Sequence, residues 1–313
     1  MNYSIKHAKT VDELEIDKFD LAILAVTGES RSWCIAEKFK NSNSPTWVLA
    51  RKNENLTVVD LGKEIERRIP NAGVVLAQSF ASSLRAFFSA CVGQVNVFID
   101  VSCMTRMDMA TAFEHIFALD GDVREVSITI GYVISEFTPP PAGHAPNEHI
   151  KPISPRFAGW PDDPHAPTAL VLGLGYEAAK AEGASEYFDA QEGWVFSPQS
   201  PISHFDAAVI NNNRQIVDRA AREGRLVEYR VDDPADAIYR INSLAIDLAG
   251  WSNPLILPFG PKLFAALSLL VAVANPSVGV WHATGDTDLP ADDHVASQHL
   301  VILNVLLERS HES

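Results

Sequence analysis

Short apolar runs rich in β-branched residues alternate with stretches of helical spacing along most of this chain. In the first half the runs are LAILAV (21–26), TWVLA (46–50), GVVLA (73–77), VNVFIDV (95–101) and REVSITIGYVI (124–134). Runs of this length and composition predict strands, and the helix-spaced stretches between them predict crossovers, which pair the strands in parallel under helices on both faces. The same order returns further on with ALVLGLG (169–175), GWVFS (193–197), AAVI (207–210), LVEYRV (226–231), PLILP (254–258) and VGVWHATG (278–285). The expected fold is α/β, with two tandem Rossmann-like parallel-sheet units.

Between the halves, residues 138–168 hold nine of the 19 prolines, a density that excludes a regular helix or a central strand. This divides the chain into an N-terminal unit at 1–137, a proline-rich linker at 138–168 and a C-terminal unit at 169–313. The halves also match residue by residue. AILAVTGESR lies over LVLGLGYEAA with Glu29 on Glu177, Trp47 falls on Trp194, and IDVSCMTRMDMATA lies over LILPFGPKLFAALS with Arg106 on Lys262. The offset drifts by only a few residues, as changes in loop length would produce, so an internal duplication is expected. Two similar units commonly pack about a pseudo-twofold axis, which would set equivalent loops face to face. LFAALSLLVAVA (263–274) is too short to span a bilayer and reads as a buried helix. Val295, Leu300, Val301, Leu303, Leu306 and Leu307 fall on a helical stripe, predicting a terminal helix.

Apolar residues make up 47% of the 313 and charged residues 21%, enough for a sizeable interior. A formal charge of −15 works against coating an extended nucleic-acid duplex, which depends on clustered Lys and Arg. The opening MNYSIKHAKTVDELEIDKFD lacks the basic-then-apolar order of a signal peptide, and Cys34, Cys91 and Cys103 form no CxxC pair. A cytoplasmic chain without a membrane span is expected.

Open parallel sheets bind ligands beyond the carboxyl ends of their strands, so the loops at that edge are the candidates. In VTGESR, Gly28 permits an unusual turn, Thr27 and Ser30 are helix caps and Arg31 is a phosphate ligand; the alternative is a capped helix start with Glu29 favoured by the helix dipole. Its counterpart GLGYEAA sets Gly173, Gly175 and Ala178 in a dinucleotide-like spacing, but no acidic residue closes the next strand, and no cofactor is assigned. In IDVSCMTR, Asp100 ends the strand, Ser102 and Thr105 offer hydroxyls and Arg106 is placed to clamp an anion, unless it only pairs with Asp100 or Asp108. Its counterpart LPFGPK frees the backbone at Gly260, presets a helix N1 position at Pro261 and supplies charge at Lys262. Cys103 reads as a packed cysteine: its spacing to Arg106 is too short for a phosphatase loop, and Phe259 stands at the matched position. His144, His149 and His165, with His294 and His299, form no metal set. His282, followed by Thr284, lies near a strand end and is placed to face the same edge as Lys262.

At IDVSCMTR, and again at VTGESR, the sequence resembles the CRISPR-associated Rossmann-fold sensors known as CARF domains, with GLGYE and FGPK as degenerate copies. The double glycine usual in that turn is absent from SCMTR. The resemblance implies a sensor of cyclic or linear oligonucleotides in an antiviral defence system, with a protein partner carrying the effector activity. The ligand-binding set is then Thr27, Gly28, Glu29, Arg31, Asp100, Ser102, Thr105 and Arg106 with Gly173, Gly175, Glu177, Gly260, Lys262 and Thr284. Two other readings stand beside it. One is a nucleotide-processing hydrolase or transferase using Glu29, Glu177 or His282 in acid–base roles. The other is a non-catalytic partner subunit.

Overall fold

The run Leu21–Val26 is buried at every position, as a strand covered on both faces must be, and it is an interior strand of its sheet. The computed structural model describes residues 3–51, 58–118, 123–139, 149–159, 163, 165–177, 180–188, 190, 192–284 and 294–310. It divides into two compact units, and the second is inserted in the chain between two strands of the first.

The first unit runs through β1 (Tyr3–Thr10), β2 (Leu21–Val26), α1 (Trp33–Ala36), β3 (Thr46–Ala50), α2 (Val58–Arg68), β4 (Gly73–Leu76), α3 (Ala77–Phe88), β5 (Gly93–Asp100), α4 (Arg106–Ile116) and β6 (Val123–Ser135). The second comprises β7 (His149–Pro152), β8 (Thr168–Gly173), α5 (Lys180–Phe188), β9 (Glu192–Gln199), α6 (Ser203–Asn212), α7 (Arg214–Arg222), β10 (Leu226–Arg230), α8 (Pro234–Ala249), β11 (Asn253–Pro258), α9 (Lys262–Ala274) and β12 (Gly279–Thr284). The chain then returns to the first unit as β13 (Ala296–Arg309).

The first sheet has the order β1-β13-β6-β5-β2-β3-β4 and the second β10-β9-β8-β11-β12-β7. Within each, five strands are parallel, and their path is the same: outward from β2 to β3 and β4, or from β8 to β9 and β10, then back across the starting strand to β5 and β6, or to β11 and β12. This is the doubly wound, Rossmann-like path, with its switch point between β2 and β5 and between β8 and β11. The fold is α/β, and each unit adds antiparallel strands at one side, β13 and β1 to the first and β7 to the second.

One face of the first sheet packs Leu24, Val48 and Phe98 against Ile35, Phe39, Leu61 and Ile65. In the second unit every residue of α9 from Leu263 to Val273 is buried, as its uninterrupted apolar composition requires. A fully buried Leu, Val or Phe contributes about 1.5–3 kcal/mol, so this helix is a main anchor of its unit.

Five points differ from the sequence-based expectation. The C-terminal stripe is not a helix but β13, in which Val301, Leu303, Val305 and Leu307 are buried at strand period. A run such as LVILNVLL fits either period; its partners decide it, and those are β6 and β1, far away in sequence. The last residues consequently belong to the first unit, not to a unit ending at 313. AAVI lies inside α6, where only Val209 is buried, because a four-residue apolar run carries no period of its own. The proline-rich stretch contributes β7 at the edge of the second sheet, with Pro152 at its end, a position where a missing N–H costs no ladder bond. Finally, YSIKHAKT, which has no apolar run, forms the edge strand β1.

Candidate functional site

The loops flanking the switch point of the first unit are 27–32 after β2 and 101–105 after β5. In the first, Thr27 Oγ1 accepts the Glu29 N–H at 3.1 Å, and Ser32 Oγ donates to the carbonyls of Glu29 (2.7 Å) and Thr27 (3.2 Å). These bonds close a tight bend through Gly28. Instead of the continuous helix that the sequence predicts, the chain then forms a 3₁₀ turn at Ser30–Ser32, the four-residue α1 and a second 3₁₀ turn at Glu37–Asn41, none with a side-chain cap. So short a segment has little dipole to offer an anion. The charge comes instead from side chains turned inward. Arg31 Nη2 lies 3.1 Å from Glu29 Oε2, both residues are buried, and Cys103 Sγ is 3.8 Å from the same carboxylate oxygen.

In the second loop, buried Asp100 accepts the Ser102 N–H at 2.9 Å, and Ser102 Oγ accepts the Val133 N–H at 2.9 Å. The Ser102 hydroxyl, buried, ties the loop to β6. Thr105 is the N-cap of α4, in a capping box with Asp108: Thr105 Oγ1 accepts the Asp108 N–H at 3.1 Å, and Asp108 Oδ2 accepts the Thr105 N–H at 3.0 Å. Asp108 also pairs with Arg51, the residue after β3. Arg106, half-buried, opens α4.

Tyr132 of β6 closes the group. Burial pushes its phenol pKa up, Arg31 and Arg106 draw it back, and Cys103 raises it further. For Arg31, burial acts to lower the guanidinium pKa, but Cys103, Tyr132 and Glu29 outweigh it, so the proton is held more firmly than usual. One sheet edge therefore gathers three buried carboxylates, Glu29, Asp100 and Asp108, with the guanidiniums of Arg31, Arg51 and Arg106. Burying ions costs several kcal/mol each, roughly, and hydrophobic packing would fill the space at lower cost, so such clusters mark candidate sites. The Nε atoms of Arg31 and Arg51 are buried with no hydrogen-bond partner among the described residues.

The matched edge of the second unit is built differently. A Cβ on Gly175 would stand 2.6 Å from the Phe259 carbonyl oxygen, one on Gly260 would overlap the Leu174 carbonyl, and one on Gly173 would enter the Phe264 ring. The Phe259 N–H donates to the Gly173 carbonyl at 2.9 Å. These glycines let two loops and a helix of the chain itself come together. Glu177 keeps 44% of its side chain exposed, 4.0 Å from Lys180 Nζ, in contrast to buried Glu29. Pro261 is the N-cap of α9 rather than its first residue, and half-buried Lys262 comes next. His282 sits opposite Lys151 of β7, two residues past the Ile256–Val280 pair and so level with the end of β11. Thr284 ends β12; its side chain, like Ala178 and His144, lies outside the described residues.

The structure thus brings Thr27, Gly28, Glu29, Arg31, Asp100, Ser102, Thr105 and Arg106 to one edge of the first sheet. Gly173, Gly175, Glu177, Gly260 and Lys262 lie at the corresponding edge of the second. Arg51 and Tyr132 escape the sequence reading, although Arg51 is the first residue after a predicted strand. Tyr132 is hidden within an apolar run. Among the described residues, no group of three or more His, Cys, Asp or Glu is placed to hold a metal ion, and no helix is long and apolar enough to cross a membrane.

No protein-family model matches this chain, and no curated protein matches it. Among solved structures it is similar to the selenomethionine form of Haemonchus contortus phosphoethanolamine N-methyltransferase 1 in complex with phosphoethanolamine and S-adenosylhomocysteine. The identity is 9%, over 95% of this chain and 89% of that one, with a TM-score of 0.24. A similarity of that size carries no argument about function.

Proposed function

We propose that this chain is a nucleotide-binding sensor or regulatory component, and that the phosphate end of its ligand is held at the switch-point edge of the first unit by Arg31, Arg51 and Arg106. Arg31 carries the reading. Arg31 is 4% exposed, pairs with Glu29 at 3.1 Å, and its Nε has no acceptor among the described residues. A buried donor left unsatisfied costs about 1–3 kcal/mol, a cost that an anion at this edge removes. The second unit's Lys262 opens α9 beside loops closed by their own backbone, and no phosphate is assigned to it. The resemblance to CARF-domain proteins favours a cyclic or linear oligonucleotide as ligand and a protein partner as effector, in a defence setting.

Glu29 is paired with buried Arg31 at 3.1 Å, an arrangement that suits an electrostatic role. The reading is tested by calorimetric titration with mononucleotides, dinucleotides and cyclic oligonucleotides. At least one is expected to bind, with affinity falling about tenfold or more in Arg106→Ala, as loss of a charged hydrogen bond predicts. Binding by none of the panel, or equal affinity in Arg106→Ala, would overturn it.

A further inference from the structure

The loop after β8 keeps its glycines for packing, yet it also carries Tyr176, whose ring belongs to an aromatic group built from three separate segments. Phe205, on the first turn of α6, lies 5.7 Å from Tyr176 and meets Phe137 edge to face at 5.1 Å and 84°. Phe137 in turn stacks on His204 at 5.7 Å and 25°. Tyr176, Phe205 and Phe137 are half-buried and His204 is exposed, so parts of these flat rings face water. The group stands over the carboxyl ends of β8 and β9, the side of a parallel sheet where ligands bind.

The scaffold beneath it is fixed by side chains. Asn213, itself buried, donates to the carbonyls of Gly175 (2.8 Å) and Val209 (2.9 Å), and Asn212 donates to that of Tyr176 at 2.5 Å. Asp206 accepts the Ser200 N–H at 2.7 Å, which fixes the turn leading into α6. Packing accounts for Phe205, at the centre of the group. It does not require exposed His204 to lie flat on Phe137 when solvent would leave the imidazole free to rotate. Beside Tyr176, the partly exposed Glu177 carboxylate is an acceptor for an amino or hydroxyl group.

We propose that this surface is a nucleobase platform, a ligand site of the second unit separate from the phosphate site of the first. Aromatic faces stack on any base, a carboxylate reads an exocyclic amine or ribose hydroxyl, and Gly175 and Gly260 are packed against backbone of the chain itself. The class of ligand is therefore a base or nucleoside for which phosphate contributes nothing at this surface.

The test is saturation-transfer NMR and calorimetry on the full chain, with adenosine as probe and ribose 5-phosphate as the base-free control. Adenosine is expected to bind, with its base protons saturated more strongly than its ribose protons. Its dissociation constant should rise about fivefold or more in both His204→Ala and Tyr176→Leu, the loss expected of a stacking partner. His204 is exposed, so its replacement leaves the fold intact and keeps the test valid if Tyr176→Leu proves unstable. Absence of adenosine binding, wild-type affinity in His204→Ala, or ribose 5-phosphate competing with adenosine overturns the proposal. Arg106→Ala should keep adenosine binding whatever it does to nucleotides, which separates failure here from failure of the phosphate site.

Discussion

Arg31 Nη2 and Glu29 Oε2 lie 3.1 Å apart with 5% and 8% of their side chains exposed, whereas the residue matched to Glu29 in the other half, Glu177, leaves 44% of its side chain in water. Removing one partner of a buried pair strands the other charge in a poorly solvating interior. Glu29→Gln is therefore expected to destabilise the first unit by about 3–5 kcal/mol, and Glu177→Gln by no more than about 0.5 kcal/mol. Urea denaturation of the two variants checks the contrast, and equal losses would contradict it.

The glycines of the second unit make an equally direct comparison. Gly260→Ala sets a methyl group against the Leu174 carbonyl, backbone against backbone, and should cost about 1–3 kcal/mol or more. At Gly62, within α2, an added methyl group would have nothing within 4 Å and would meet no strained φ. Gly62→Ala should stabilise by about 0.5–1 kcal/mol through the lower chain entropy of alanine. Thermal melts that move in the same direction for both would refute this contrast.

Ser102 reads from the sequence as a ligand contact, and in the fold its hydroxyl accepts a buried backbone N–H from Val133. Ser102→Ala leaves that donor unsatisfied, and a loss of about 1–3 kcal/mol is expected even without ligand. A denaturation midpoint unchanged by the substitution would contradict a structural role for this bond.

Tyr132 makes stability sensitive to alkali. Burial raises its pKa above the ordinary 10.0, so the folded chain keeps a proton that the unfolded chain loses. Its contribution is present below that ordinary value and is lost as pH rises above it. Tyr132→Phe should flatten the fall in stability above pH 10, and spectrophotometric titration should show that the variant has lost a late-ionising phenol.

Thr105→Ala removes the side-chain half of the α4 capping box, for an expected loss of about 0.5–2 kcal/mol, and Thr105→Ser should recover most of it. Helix content and unfolding midpoint measured on both variants decide whether the cap or the methyl group matters.

The strands other than β1, β7 and β13 are legible in the sequence because each is a short, largely apolar run bounded by turns. For the central strands, such as β2 and β8, that requirement is local: a strand covered on both faces must be apolar throughout, whatever its neighbours are. The two loops of each half are legible for a related reason, since they come directly after such runs. Beyond that, the outcome depends on residues distant in sequence. β13 is a strand because β6 and β1 satisfy its backbone groups, and no period within LVILNVLLER says so. Equivalent letters also do different work in the two halves. Glu29 is drawn inward beside Arg31 and Cys103, while Glu177 stays near the surface beside Lys180; the glycines that read as a phosphate cradle let one loop lie on another. The sequence by itself determined where the sheet edges fall and, Arg51 and Tyr132 apart, which side chains reach them. Only the tertiary structure decided which of those side chains are buried as charges, because burial depends on the elements packed above them.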